Sequence, residues 1–252
     1  MRFNFNTIGK KLIAAIDSII NICLLAVIVL TMIFGIYSIA DNRQLEQQAD
    51  SEHYKMYKPT ADDTLSFEQL QKRNPDVIGW LTLDDTPIDY PLLQGKNNDI
   101  YINTAPDGTF SLTGSIFLDY RSSPDFSDFN SIIYGHHVEN DAMFGGLDRF
   151  AEKEYFDAHR YGSVYFGGKK YKLEIYAFFT ADAYDISIFK PDVPPGEYRE
   201  YLDKIEGEAL NYRDADITAD DHIVLLSTCS SSSINGRSLI AAKIGEELLL
   251  TS

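Results

Sequence analysis

Residues 222–244 read His-Ile-Val-Leu-Leu-Ser-Thr-Cys-Ser-Ser-Ser-Ser-Ile-Asn-Gly-Arg-Ser-Leu-Ile-Ala-Ala-Lys-Ile. A short apolar run, a serine- and glycine-containing loop and a second short apolar run predict two strands of an antiparallel hairpin, since neither run is long enough for a helix. That hairpin sets Cys229, at the end of the first strand, opposite Arg237, at the start of the second. A thiol at a strand end is within reach of a substrate. A guanidinium beside it can favour the thiolate and stabilise an oxyanion as a carbonyl is attacked. The plainer alternatives are a buried structural cysteine and a solvated arginine flanking a turn.

Upstream, the same pattern repeats. Short apolar runs at 77–83, 88–93, 114–118, 131–134, 163–166 and 170–180 are separated by turn residues such as Asp84-Asp85, Asp107-Gly108 and Gly167-Gly168. With 222–228 and 238–244 they make about eight strands. Helices are expected at 66–73, opening on a Ser-x-x-Gln capping pattern, at 142–158 with one break, and at 196–210 after Pro194-Pro195. The chain is rich in tyrosine and phenylalanine (16 and 15), which suits a β-rich core. The fold class is therefore mostly β: a closed barrel with inserted helices.

A third candidate group lies at 131–137, where a predicted strand is followed by Gly135, His136 and His137. A histidine just past a strand end can exchange protons with a thiol and a leaving amine near neutral pH. The alternative is a metal pair, His136 with His137, although adjacent residues point in different directions and no third ligand stands at metal spacing. Gly-x-Ser-x-Gly, His-Glu-x-x-His and a phosphate loop are all absent. Asp84-Asp85, Asp125, Asp128 and Asp220-Asp221 read as turn formers. A net charge of −16 argues against nucleic acid as a partner. Two cysteines, Cys23 and Cys229, cannot form a disulfide framework.

Residues 19–40, IINICLLAVIVLTMIFGIYSIA, carry no charge. At about 1.5 Å per residue they span roughly 33 Å, enough to cross a membrane. Arg2, Lys10 and Lys11 precede the segment and Asp41 follows it, so the positive-inside bias puts 1–18 in the cytoplasm and the remainder outside. A cleaved signal peptide ending near Ser38-Ile39-Ala40 is the alternative, but its apolar core would be shorter. Residues 41–63 read as a stalk or a helix lying against the domain, and 64–252 as the barrel domain.

The strand ending Leu226-Ser227-Thr228-Cys229, the downstream Arg237, the Tyr134-Gly135-His136-His137 segment and the N-terminal anchor together resemble the sortases, cysteine transpeptidases of Gram-positive cell surfaces. The resemblance spans nearly the whole chain. Asn97-Asn98-Asp99-Ile100-Tyr101-Ile102, Phe117-Leu118-Asp119-Tyr120, Met143-Phe144 and the 196–210 helix are similar to class B members. The resemblance implies a closed eight-stranded barrel, with Cys229 as nucleophile, His136 as general acid and Arg237 as oxyanion and substrate clamp. His136 is preferred to His137 because the family's catalytic histidine directly follows the glycine. Ser227, Asn98 and Ile102 would line the sorting-signal groove. Some class B members carry an acidic residue two positions after the cysteine, where this chain has Ser231, so the trio must suffice.

The reaction implied is acyl transfer through a thioester on Cys229. The donor would be a surface protein's sorting signal, of the Asn-Pro-x-Thr type in class B, and the acceptor an amine of a peptidoglycan cross-bridge or a pilin lysine. No cofactor and no metal are expected. The three groups would converge at one mouth of the barrel. An anchored peptidase that hydrolyses the same bond, and a non-enzymatic acidic binding module with a structural Cys229, are the alternatives from other classes.

Overall fold

The structure, a computed structural model, describes residues 5–229 and 235–251, without the side chains of 5–8, 11, 12, 42 and 44–47. The serine run at 230–233, including Ser231, lies outside the described residues. Helix α1, Phe5–Ala49, contains the stretch Ile13–Asp41, whose mean hydropathy of 2.8 and 29-residue length qualify it as a candidate membrane span. Residues from Glu46 onward form a separate compact unit.

Among the described residues nine strands follow: β1 Val77–Leu83, β2 Asp89–Leu93, β3 Ile116–Leu118, β4 Asn130–Tyr134, β5 Tyr161–Phe166, β6 Lys169–Asp182, β7 Ala209–Tyr212, β8 His222–Cys229 and β9 Gly236–Leu248. The ladder runs β5-β1-β2-β3-β4-β8-β9-β6, and β6 pairs back onto β5, which closes an eight-stranded barrel. Strand β7 lies outside the ring, against the C-terminal half of β6. Two pairings, β2–β3 and β4–β8, are parallel; the others are antiparallel.

Strand alternation sorts the apolar residues into layers. Leu81, Leu92, Ile133, Val164, Leu173, Val224, Leu226 and Ile240 fill the barrel interior. Their neighbours Ile132, Ile223, Leu225, Leu239 and Ala241 form an outer layer under helix α4, Tyr198–Glu208, which contributes Tyr201 and Ile205. In β6 a register shift between Ile175 and Ala177 changes the phase, so Ile175 and Phe178 face inward while Tyr176, Ala177 and Phe179 face out. A third layer packs helix α2, Leu65–Arg73, on β1, β3 and β5 through Phe67, Leu70, Trp80, Phe117 and Tyr165.

Local details have plain causes. Helix α2 is capped by Asp63, whose carboxylate accepts from the backbone N–H of Ser66 at 3.1 Å, rather than by the expected Ser-x-x-Gln box. The helical stretch expected at 142–158 with one break consists of a 3-10 segment, Gly145–Ala151, and α3, Lys153–Ala158. Within the connector Ala49 is buried in the barrel core, and its carbonyl accepts from the Tyr90 hydroxyl at 2.7 Å.

Candidate functional site

The site is built from three adjacent strand ends. In the parallel β4–β8 ladder Tyr134 lies in register with Ser227, and the Gly135 N–H donates to the Ser227 carbonyl at 3.1 Å. Two residues further along each chain come His136 and Cys229. In the antiparallel β8–β9 ladder Cys229 pairs directly with Arg237. Thiol and guanidinium thus share a rung, on strands about 4.8 Å apart, and the imidazole follows just past the end of the neighbouring parallel ladder. Cys229 is exposed, while His136 and Arg237 are half-buried.

This set lies at strand ends, and its side chains project from the outward-facing side of the barrel. Cys229 follows Ile223, Leu225 and Ser227 in alternation, the outward-facing set of β8. Arg237 is likewise in phase with Leu239 and Ala241. A cavity of about 490 Å³ runs along this side, and all six sequence-predicted residues line it: Cys229, His136, Arg237, Ser227, Asn98 and Ile102. Its other wall comes from the loop after β6, with Tyr184, Ile186 and Phe189. Tyr184 and Ile186 are 79% and 84% exposed, apolar surface that an occupant of the groove would cover.

The two histidines go separate ways. His136 Nε2 lies 2.8 Å from the Ile102 carbonyl oxygen. A carbonyl can only accept, so Nε2 carries the proton and Nδ1 is the ring nitrogen left for proton exchange. His137 Nδ1 stands 3.8 Å from Asp148. The diverging rings do not support a shared metal. Among the described residues no group of three or more His, Cys, Asp or Glu side chains is gathered as a metal site. Gly135 has the space of a glycine only. A Cβ there would sit 2.5 Å from Ile116 Cδ1 and 2.7 Å from Phe144 Cδ2, both on buried side chains. The Ser227 and Thr228 hydroxyls are buried without a hydrogen-bond partner among the described residues, and both residues line the cavity.

Away from the sulfur, the groove has a charged foundation that sequence reasoning missed. Asp119 has no solvent exposure. Its Oδ1 accepts from Arg121 Nε and from the Arg121 backbone N–H, each at 2.9 Å. Its Oδ2 accepts from Arg121 Nη2 at 2.8 Å, the Tyr134 hydroxyl at 3.0 Å and Asn98 Nδ2 at 3.1 Å. Burial opposes ionisation here, but the hydrogen bonds from Arg121 and Asn98 outweigh it and hold the Asp119 carboxyl below its ordinary value. Burial and the facing carboxylate push the Tyr134 phenol well above its usual range. The sequence signals available were the class B-like segment Phe117-Leu118-Asp119-Tyr120 and the spacing Asp119-x-Arg121 at the end of a predicted strand.

A closed barrel carrying a cysteine on its outer wall, one rung from an arginine and beside a histidine loop, has the makings of a cysteine acyl-transfer enzyme. The sequence model of the Sortase domain matches residues 81–244, and the chain belongs to the sortase family of cysteine transpeptidases. Its relatives put it in class B. It is 37% identical over 182 residues to Sortase B of Listeria monocytogenes, a match covering 71% of this chain and 73% of that protein. A solved structure of sortase B from the type II pilus of Streptococcus pneumoniae is 45% identical, with a TM-score of 0.63, over 71% of this chain and 98% of that one. The Staphylococcus aureus sortase B–substrate complex is 29% identical, with a TM-score of 0.66, over 83% of this chain and 97% of that one.

Proposed function

We propose that the protein is a membrane-anchored class B transpeptidase that cleaves a C-terminal sorting signal through a thioester on Cys229 and passes the acyl group to an amine. The observation that carries this reading is the Cys229–Arg237 rung and the His136 loop on one groove. The Cys229 thiolate attacks the carbonyl of the scissile residue, a Thr in signals of the Asn-Pro-x-Thr type. The Arg237 guanidinium faces the oxygen that becomes negative. His136, held by Ile102 through Nε2, delivers a proton from Nδ1 to the leaving nitrogen as the C–N bond breaks and the C–S bond remains. An incoming amine, from a cell-wall cross-bridge or a pilin lysine, attacks the thioester, loses its proton to His136 and releases the sulfur. Ser227, Asn98 and Ile102 contact the peptide along the groove. No cofactor takes part.

Residues 19–40 serve as the anchor, with 1–18 cytoplasmic, 41–63 as connector and 64–252 as the extracellular catalytic domain. The run of uncharged residues and the preceding basic ones support that orientation.

The test is mass spectrometry of the full chain in detergent after exposure to a library of Asn-Pro-x-Thr peptides, with and without triglycine. An acyl adduct on Cys229 that triglycine discharges to a ligated product is expected. Since Cys229 is exposed, water competes, and release of free acid at a rate indifferent to triglycine would instead identify a peptidase. Absence of any Cys229 adduct across the library would overturn the thioester.

A further inference from the structure

We infer that Asp119 is a positioning residue for peptide recognition: it orders Asn98, Arg121 and Tyr134 into a wall of the groove that offers hydrogen-bond donors to a carbonyl oxygen of the bound peptide. This rests on the groove being the sorting-peptide site.

Asp119 is a fully buried carboxylate, and every side chain that donates to it lines the cavity. Its effect on each follows from donor and acceptor bookkeeping. The Asn98 amide is fixed at both ends, since Nδ2 donates to Asp119 at 3.1 Å and Oδ1 accepts from the Tyr120 N–H at 3.0 Å. The second Nδ2 proton remains to be offered. Arg121 commits Nε and Nη2 to Asp119, and Nη1 has no hydrogen bond among the described residues, on a side chain 43% exposed. Tyr134 spends its hydroxyl proton on Asp119, which fixes its ring between Phe117 and Phe189, at centroid distances of 5.5 and 6.4 Å. The negative charge is sequestered beneath the wall, and N–H groups are left on its surface. Such a wall favours a peptide carbonyl, of backbone or side-chain amide. Without the Asp119 acceptor the Asn98 amide and the Arg121 fork lose their fixed directions.

Asp119→Asn tests this, because it keeps the shape, removes the charge and turns an acceptor into a donor facing Arg121 or Asn98. The full chain in detergent is assayed with the fluorogenic Asn-Pro-x-Thr peptide that the wild type cleaves fastest, and Cys229 alkylation by iodoacetamide is timed in parallel. The expected result is a KM raised about tenfold or more, kcat within about threefold of wild type, and an unchanged alkylation rate. A purely structural role would move KM, kcat and alkylation together, and that pattern, or an unchanged KM, overturns the inference. Should Asp119→Asn not fold, Tyr134→Phe, which removes one donor to Asp119 and keeps the ring, carries the test with the same readouts. A raised KM with unchanged alkylation supports the inference, and an unchanged KM refutes it. A wild type that cleaves no peptide of the library refutes the groove reading and this inference with it. Equal kinetics of an active wild type and Asp119→Asn refute the inference alone.

Discussion

Replacing Gly135 by alanine probes the link between packing and chemistry with a single methyl group. Its φ is not in the left-handed region, so the backbone itself tolerates alanine and only space forbids it. The added Cβ would lie 2.5 Å from Ile116 Cδ1 and 2.7–2.8 Å from the Phe144 ring. Ile116 is 1% and Phe144 0% exposed, so neither can swing into solvent and the backbone must yield. Overpacking of this kind costs about 1–3 kcal/mol, which for a domain of this size lowers Tm by roughly 2–12 °C. The backbone that yields carries the Gly135 N–H bond to Ser227 and, one residue on, His136. A displacement of about 1 Å at a reacting group can cost about 100-fold in rate, so kcat/KM for a sorting peptide is expected to fall by that order. Thermal unfolding and peptide cleavage by the full chain in detergent provide the assay. Gly196→Ala is the control, since a Cβ there meets nothing within 4 Å, and its Tm should move by less than about 2 °C. A Gly135→Ala protein with the Tm and kcat/KM of wild type would refute the claim that this glycine sets the histidine's position.

Cys229→Ala removes an exposed thiol, so Tm should stay within about 2 °C of wild type while the acyl adduct disappears from the mass spectrum; a large loss of stability would instead mark the cysteine as structural. Arg237→Lys keeps the charge but loses the planar fork, and kcat/KM should drop by about 100-fold or more, with near-normal turnover removing arginine from the mechanism. The acid limb of stability should depend on Asp119. Its folded value is depressed, so its contribution is complete above the unfolded value of about 3.9 and is lost as pH falls through the lower folded one. Melting curves between pH 2 and 5 should therefore be shallower in Asp119→Asn than in wild type, and parallel slopes would contradict this.

Most of the barrel was legible because its strands are short apolar runs punctuated by turn residues, and the eight expected runs correspond to β1–β6, β8 and β9. Strand β7 left no such trace. Its four residues include a single buried one, Asn211, which is polar and is held by the carbonyls of Phe150 and Ala151. The pairing of Cys229 with Arg237 was readable from hairpin logic alone. The proximity of the histidine loop was not, because β4–β8 is a parallel contact between segments some ninety residues apart, and no local pattern reports such a pairing. Nor does a sequence say which face of a barrel strand a site occupies. Here the phase of Ser227 and Cys229 with Ile223 and Leu225 turns their side chains to the outer face at the strand ends. Asp119 entered the sequence reading only as part of the class B-like segment 117–120, without a role, because its role comes from the three-dimensional convergence of Asn98, Arg121 and Tyr134.

The parallel seam also explains why the candidate residues gather where they do. Antiparallel neighbours end at opposite sides of a sheet, so a hairpin can bring together one strand's end and the next strand's start, as with Cys229 and Arg237, but not two strand ends. Parallel neighbours end together, and both chains then leave the sheet at the same level with side chains free of the ladder. Here β4 and β8 stop side by side, and the residues just past the shared register, Gly135-His136 on one and Thr228-Cys229 on the other, are those that line the groove. A hairpin and a parallel pair sharing the middle strand β8 are thus sufficient to bring three distant sequence positions to one end of the ladder. Deepening the groove then falls to the segments flanking it: the loop after β6, with Tyr184, Ile186 and Phe189, and the Asn98–Ile102 turn. Substitutions of side chains there are expected to alter the groove's lining while leaving the Cys229–Arg237 pairing intact, because those side chains hang outside the β8–β9 ladder that fixes it.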